Sequence, residues 1–230
     1  MNVSVAVGVR IGMKDRWYGI CVKRSEERWH VEKRMEDKRG ISTLELAVVL
    51  ALIAIMATFT VPFLGSWLRH YRVVGAAREM TSMMQNARLL AVKNNEDSCV
   101  EFDPTNNRYC IKSDKGANGA WDTWNGGDDT IEKVVSFGDK SHRDIGFGLQ
   151  SANAPGGGPD ASGGTTLSIP SDYVSFTNNR CEFNPDGTSG SGVAYITDTY
   201  ETYAVKVGYS ATGHVQIWYW NAGTGKWVRK

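Results

Sequence analysis

Glu45 sits where a carboxylate is expensive. It is the single ionisable side chain between residues 41 and 64, a run that is otherwise apolar apart from Ser42, Thr43, Thr58, Thr60 and Pro62. A charge at the centre of a lipid-embedded helix costs roughly 2.5–3.5 kcal/mol on insertion scales. A carboxylate in such a place calls for a cation, and the chemistry it offers is ion pairing.

Three further groups could do chemistry. Cys99, Cys110 and Cys181 follow the apolar run, whereas Cys21 precedes it. Cys99 and Cys110 flank Asp103-Pro104-Thr105-Asn106-Asn107, a turn-rich connection between two strand-like segments. With residues 103–106 as the loop, the two thiols face each other and a short disulfide fits; Cys181 can replace either partner. Three cysteines allow at most one internal bridge, and no Cys-x-x-Cys or histidine partner accompanies them, so the expected role is structural. Asp122, Asp128 and Asp129 lie in a Gly/Asn-rich segment. Oxygen donors suit calcium, but the spacing is not that of an EF-hand loop, and the reading is a solvated acidic loop with no metal. His70, His142 and His214 are scattered. No nucleophile set, phosphate loop or paired catalytic carboxylate stands out, and no cofactor or enzymatic activity is expected.

The elements that position these groups follow from charge and periodicity. Residues 1–40 hold ten Lys/Arg and six Asp/Glu, a net of +4, against −3 for residues 41–230. The positive-inside rule then places the start of the chain in the cytoplasm and its bulk across a membrane. A net of −3 also argues against a whole-surface nucleic-acid binder. Residues 46–64 form a run of nineteen, which as a helix spans roughly 28 Å, close to a hydrocarbon core and longer than a signal-peptide core. Residues 1–34 show no periodicity, and Met35 offers an alternative start; residues 1–40 read as a leader, with 1–34 a mis-assigned start or part of it.

Beyond Trp67 a seam continues at Val73, Ala77, Met80, Met84, Ala87 and Ala91, in steps of four and three. This predicts one helix over 41–93, apolar all round in its first half (41–66) and amphipathic in its second, ending at Asn94-Asn95. Pro62 favours a kink in it. The stripe is expected to pack on the protein's own sheet. Strands are expected at 98–102, 108–111, 131–137, 165–169, 173–176, 192–197, 202–209 and 215–220, with loops at 114–129 and 151–164. The class is therefore α+β: a long N-terminal helix packed on an antiparallel sheet, with residues 67–230 as the globular domain.

Lys38-Arg39-Gly40 followed by Ile41-Ser42-Thr43-Leu44-Glu45-Leu46, the apolar run and Pro62 resemble the start of type IV pilin-like proteins, that is, type IV pilins and type II secretion pseudopilins. Ala77-Arg78-Glu79-Met80, the segment from Gln85 to Asn94, and Phe183-Asn184-Pro185-Asp186-Gly187 are similar to the GspH/FimT branch. The resemblance implies the type IV pilin fold and cleavage between Gly40 and Ile41 by a prepilin peptidase, with N-methylation of Ile41. It implies that Glu45 pairs with the freed amine of a neighbouring subunit, and that the helix loosens at Pro62 in a filament. The partners it implies are other pilin or pseudopilin subunits, the inner-membrane assembly platform and membrane lipid. The expected location is the bacterial inner membrane, with the head in the periplasm or on the filament. Some FimT-like minor pilins bind DNA through a basic C-terminal region. The tail with Lys226, Trp227, Arg229 and Lys230 looks similar, although an ordinary polar terminus is the favoured reading.

Overall fold

The computed structural model describes residues 42–124, 127–140, 142–208 and 211–230; of residues 61–63 it describes the backbone. Lys38, Arg39, Gly40 and Ile41 lie outside the described residues. The chain divides into two compact units, Met1–Leu50 and Ala51–Lys230.

Helix α1 is Thr43–Asn94, and its helical backbone continues through residue 62. Its end is set by Asn95, which adopts a left-handed conformation (φ 55°) while the Glu96 N–H reaches back to the Ala91 carbonyl at 3.3 Å. Asparagine tolerates that conformation, and the bond satisfies a carbonyl the helix end would otherwise leave open.

In the unit Ala51–Lys230 the strands form two antiparallel sheets. The first has the order β3-β2-β1-β5, with β1 Ser98–Asp103, β2 Arg108–Asp114, β3 Thr130–Ser136 and β5 Arg180–Phe183. The second has the order β4-β6-β7-β8-β9, with β4 Gly146–Phe147, β6 Gly192–Thr197, β7 Thr202–Val207, β8 Val215–Asn221 and β9 Lys226–Arg229. Side-chain alternation assigns each face. Val100, Phe102, Tyr109, Ile111, Cys181 and Phe183 of the first sheet share one core with Ala194, Ile196, Tyr203, Val205 and Val207 of the second.

All six seam residues of α1 are fully buried in that core, so the stripe packs on the protein's own sheets as expected. Alanines at four of the buried helix positions bring the backbone close to the strands, and Met80, Met83 and Met84 fill the space between. Truncating Met80 to alanine will destabilise the fold by about 2–5 kcal/mol. Leu89, on the exposed side of the same helix, will tolerate alanine within about 0.5 kcal/mol. Chemical denaturation of the two variants checks the assignment of faces.

The second sheet's other face carries a smaller core of Val193, Tyr195, Ala204, Trp218, Trp220 and Trp227. Residues 148–176 cover it. Trp220 Nε1 donates to the Asn153 carbonyl at 2.8 Å, and Trp227 Nε1 to that of Gly157 at 2.9 Å. This corrects two expected strands: 165–169 and 173–176 make single bridges, Leu167 to Gly158 and Val174 to Ala194, and otherwise cross the sheet as its cover. Asp160 closes a turn in that cover. Its carboxylate accepts from the Ser162 hydroxyl and from the backbone N–H groups of Gly164 and Ser162, and these hold its pKa down at about 2. Because the folded value is depressed, the stabilisation is present above the ordinary carboxylate range and fades as pH falls towards about 2. The carboxyl carbon-13 shift of Asp160 will titrate at about pH 2.

Candidate functional site

Within residues 42–50, Ser42 caps the helix: its Oγ accepts from the Leu44 N–H at 3.3 Å, and its carbonyl accepts from the Leu46 N–H at 3.0 Å. Glu45 lies in the first turn, where the partial positive charge of the helix N-terminus favours a carboxylate. Ser42 and Glu45 thus have the spacing of a capping box, a local reason for a glutamate at this position that the sequence reading passed over.

The window Thr43–Thr60 has a mean hydropathy of 2.2 and is 0% buried within the protein. Leu44, Leu50, Ile53, Ile55, Met56 and Phe59 all stand exposed. The Thr58 and Thr60 hydroxyls donate back to the Ala54 and Met56 carbonyls, each at 2.9 Å, which hides the polar atoms of both side chains inside the helix. This is the one helix among the described residues that is long and apolar enough to cross a membrane. Its energetics allow that: the window holds nine Leu, Ile, Val or Phe residues. Each favours lipid by roughly 0.3–0.6 kcal/mol, together about 3–5 kcal/mol, which matches or exceeds the cost of one carboxylate even at its central-position value of about 3 kcal/mol.

The next turns carry Trp67 and Tyr71, exposed and in edge contact at 4.3 Å. Arg69 lies over the Tyr200 ring at 4.6 Å, and His70 Nδ1 is 2.7 Å from Glu201 Oε2. These contacts tie this part of α1 to the β6–β7 turn. Two segments far apart in sequence also meet: a Cβ built on Gly187 or Gly213 would stand 3.4 or 3.3 Å from the Arg88 guanidinium.

The cysteine expectation is corrected. Asp103 pairs with Arg108, so Cys99 stands opposite Lys112 and Cys110 opposite Glu101. The thiols are diagonal neighbours on one face, and such neighbours sit about 7–8 Å apart where a disulfide needs Cβ atoms about 3.8 Å apart. Cys181 stands opposite Val100 and faces the other side. All three are buried free thiols. Burial first, and then Glu101, pushes the Cys110 thiol up to about 12, which leaves it inert.

The C-terminal group is also rearranged. Trp227 is buried, because it lies on β9 among Trp220 and Tyr195, so its ring offers no face to a base. Lys226 and Arg229 are exposed, but strand alternation sends them to opposite faces. Lys230 sits over the Tyr219 ring at 5.2 Å, and Arg229 Nη2 is 3.1 Å from His214 Nε2.

One constellation was not foreseen. The outer face of the first sheet carries Glu101, Lys112 and Arg180 beneath Trp121, Asp122 and Asp129 of the loop that follows β2. Lys112 is 1% exposed; its Nζ lies 2.7 Å from Glu101 Oε2 and 2.9 Å from Asp129 Oδ2. Arg180 Nη2 lies 3.0 Å from Glu101 Oε1 and donates to the Asp122 carbonyl at 2.8 Å. The alternation of Glu101 with Val100 and Phe102 was its only sequence signal.

Compared with protein-family models, with curated proteins and with solved structures, the chain matches none of them.

Proposed function

We propose that this chain is a minor pilin or GspH-like pseudopilin. It is cleaved after Gly40 and assembled through its N-terminal helix into a type IV pilus or a type II secretion pseudopilus. The observation that carries the reading is the uncovered apolar window Thr43–Thr60 with Glu45 in its first turn. An apolar helix surface of that length needs lipid before assembly and other helices after it. Cleavage creates the missing cation: the new α-amine at Ile41 of one subunit meets Glu45 of the next, and pairing the two charges fixes a register. Before the cut no amine exists at that point, so processing is also the switch for assembly.

The remaining roles follow. Lipid of the bacterial inner membrane holds the helix. Trp67 and Tyr71 mark the headgroup level, where aromatic side chains gather. Pro62 is where the helix can loosen in a filament, and the two-sheet domain is the type IV pilin head, in the periplasm or on the filament. A prepilin peptidase and an assembly platform are the required partners.

Coexpression with an active prepilin peptidase tests the reading. The chain will lose its leader, and the shift will disappear with catalytically dead peptidase. A chain that keeps its length beside a peptidase that cuts a control pilin contradicts the proposal.

A further inference from the structure

Residues 64–78, which follow the apolar window, hold Arg69, Arg72 and Arg78 and no carboxylate. The positive-inside rule puts this flank on the side of a membrane where Lys and Arg are scarce. Residues 41–230 are net acidic, so overall composition does not account for the cluster. A local partner for the arginines would.

Two turns of the head meet this stretch of helix. The β6–β7 turn brings the exposed Tyr200, whose ring lies against Arg69. The loop after β3 brings Arg143 and Asp144, and it is pinned on both sides of Arg143. His142 Nε2 lies 2.8 Å from Glu79 Oε2 of α1, and Ile145 is buried in the main core. Arg143 is thereby held near Arg72, one turn of helix past the exposed aromatic pair Trp67 and Tyr71.

These two arginines are under-partnered. Arg72 Nη1 and Arg143 Nε lie 3.9 and 4.0 Å from one oxygen, Asp144 Oδ2. A charged guanidinium–carboxylate hydrogen bond is about 2.7–2.9 Å long, so both contacts are loose. Other carboxylates nearby are engaged. Glu201 meets His70 at 2.7 Å, Glu79 meets Lys133 and His142, and Asp139 meets His142. Asp198 is buried and accepts from the Tyr200 and Glu201 N–H groups of its own turn. Two solvent-accessible guanidinium groups thus face a single carboxylate.

A phosphodiester supplies what the pair lacks. Its two free oxygens accept from planar guanidinium forks, the recognition for which arginine is suited. Beside a helix that leaves a bilayer at Trp67 and Tyr71, a phosphodiester at this level belongs to a phospholipid headgroup. A zwitterionic headgroup carries its own ammonium, which two guanidinium groups repel; an anionic one does not. We propose that Arg72 and Arg143 clamp the phosphate of an anionic phospholipid and so dock the head on the membrane surface, a role that rests on the helix being a membrane anchor. Asp144 competes for the same two cations.

The test uses the full chain in neutral detergent, mixed with equal amounts of phosphatidylglycerol and phosphatidylcholine, with retained lipid counted by native mass spectrometry. The parent will retain phosphatidylglycerol in preference. In the double variant Arg72→Gln, Arg143→Gln the ratio will fall by roughly fivefold per arginine, the equivalent of about 1 kcal/mol each near an anionic surface. Both side chains are solvent-accessible, so Tm will stay where it is. Asp144→Asn will raise the ratio several-fold and will fold, because asparagine tolerates its φ of 66°. Every variant keeps the same basic residues 1–40, so differences between variants belong to the clamp. Excess inorganic phosphate will lower the ratio no more than chloride of equal ionic strength; a larger loss marks a site for a soluble anion and overturns the lipid assignment. Equal retention of the two lipids by the parent, or an unchanged ratio in the double variant, overturns the clamp and leaves the anchor standing. A chain that retains neither lipid and stays soluble without detergent overturns the anchor, and the clamp with it.

Discussion

Replacing Lys112 by methionine will destabilise the protein by about 3–5 kcal/mol, the range for removing one partner of a buried ion pair. Methionine fills much the same space, so the loss isolates the charge. The ammonium bridges Glu101 and Asp129 and also donates to the Asp122 carbonyl at 2.9 Å, so its removal leaves the buried Asp129 carboxylate without its cation and Glu101 with Arg180 alone. Burial alone would lower the Lys112 pKa, but its hydrogen bonds to Glu101 and Asp129 outweigh that and raise it above the ordinary lysine range. A raised folded value means that the stabilisation is fully present below the ordinary lysine range and is lost only as pH rises through the folded value. Denaturation at neutral pH, followed by tryptophan fluorescence, measures the loss. Adding Asp129→Asn to Lys112→Met will recover part of it, because the stranded charge goes with it.

The second large effect falls on assembly. Glu45→Ala will leave membrane insertion intact or improved, since an unpaired carboxylate is removed from the anchor. Incorporation into filaments will fall by at least roughly tenfold. Two unit charges about 4 Å apart attract by about 4 kcal/mol at an effective dielectric of about 20, and more in lipid. Glu45→Gln separates that pairing from a capping role, because an amide still serves the capping box but carries no charge. Sheared filaments and the membrane fraction, compared by quantitative blotting, supply the readout. Equal loss with alanine and glutamine supports pairing across subunits; full incorporation of Glu45→Gln contradicts it.

What was legible in the sequence tracks the strength of the periodic signal. The α1 seam reads cleanly because Val73 to Ala91 repeat on one face of a long helix, and all six are buried. Strands β1, β2, β6 and β8 read well because each is a β-branched or aromatic run ended by turn residues. Strands β5 and β9 were missed because each is only four residues long and half charged: Arg180-Cys181-Glu182-Phe183 alternates charge with apolar groups, and Lys226-Trp227-Val228-Arg229 sets two apolar residues between two cations. That is the pattern of a polar tail until a neighbouring strand pairs with it. Residues 165–169 looked like a strand by composition, but 165–168 stay exposed with a single bridge from Leu167 to Gly158, and only Ile169 packs on the Trp face of the second sheet, which the tertiary fold supplies. The Glu101–Lys112–Arg180 cluster was hidden for a related reason. Charged residues at alternate strand positions imply solvent, and here the outer face is roofed by the loop that follows β2. The disulfide expectation turned on the loop at the β1–β2 turn: residues 104–107 form it, and that register moves Cys110 from Cys99 to Glu101.

Mass spectrometry of the N-terminus of the chain purified from cells with an active prepilin peptidase tests the central claim most directly. The account predicts a terminal peptide that begins at Ile41, carrying a methyl group on its amine. A terminal peptide that spans an intact Gly40–Ile41 bond would contradict it, because Glu45 would then have no partner amine and the exposed helix no route into a filament.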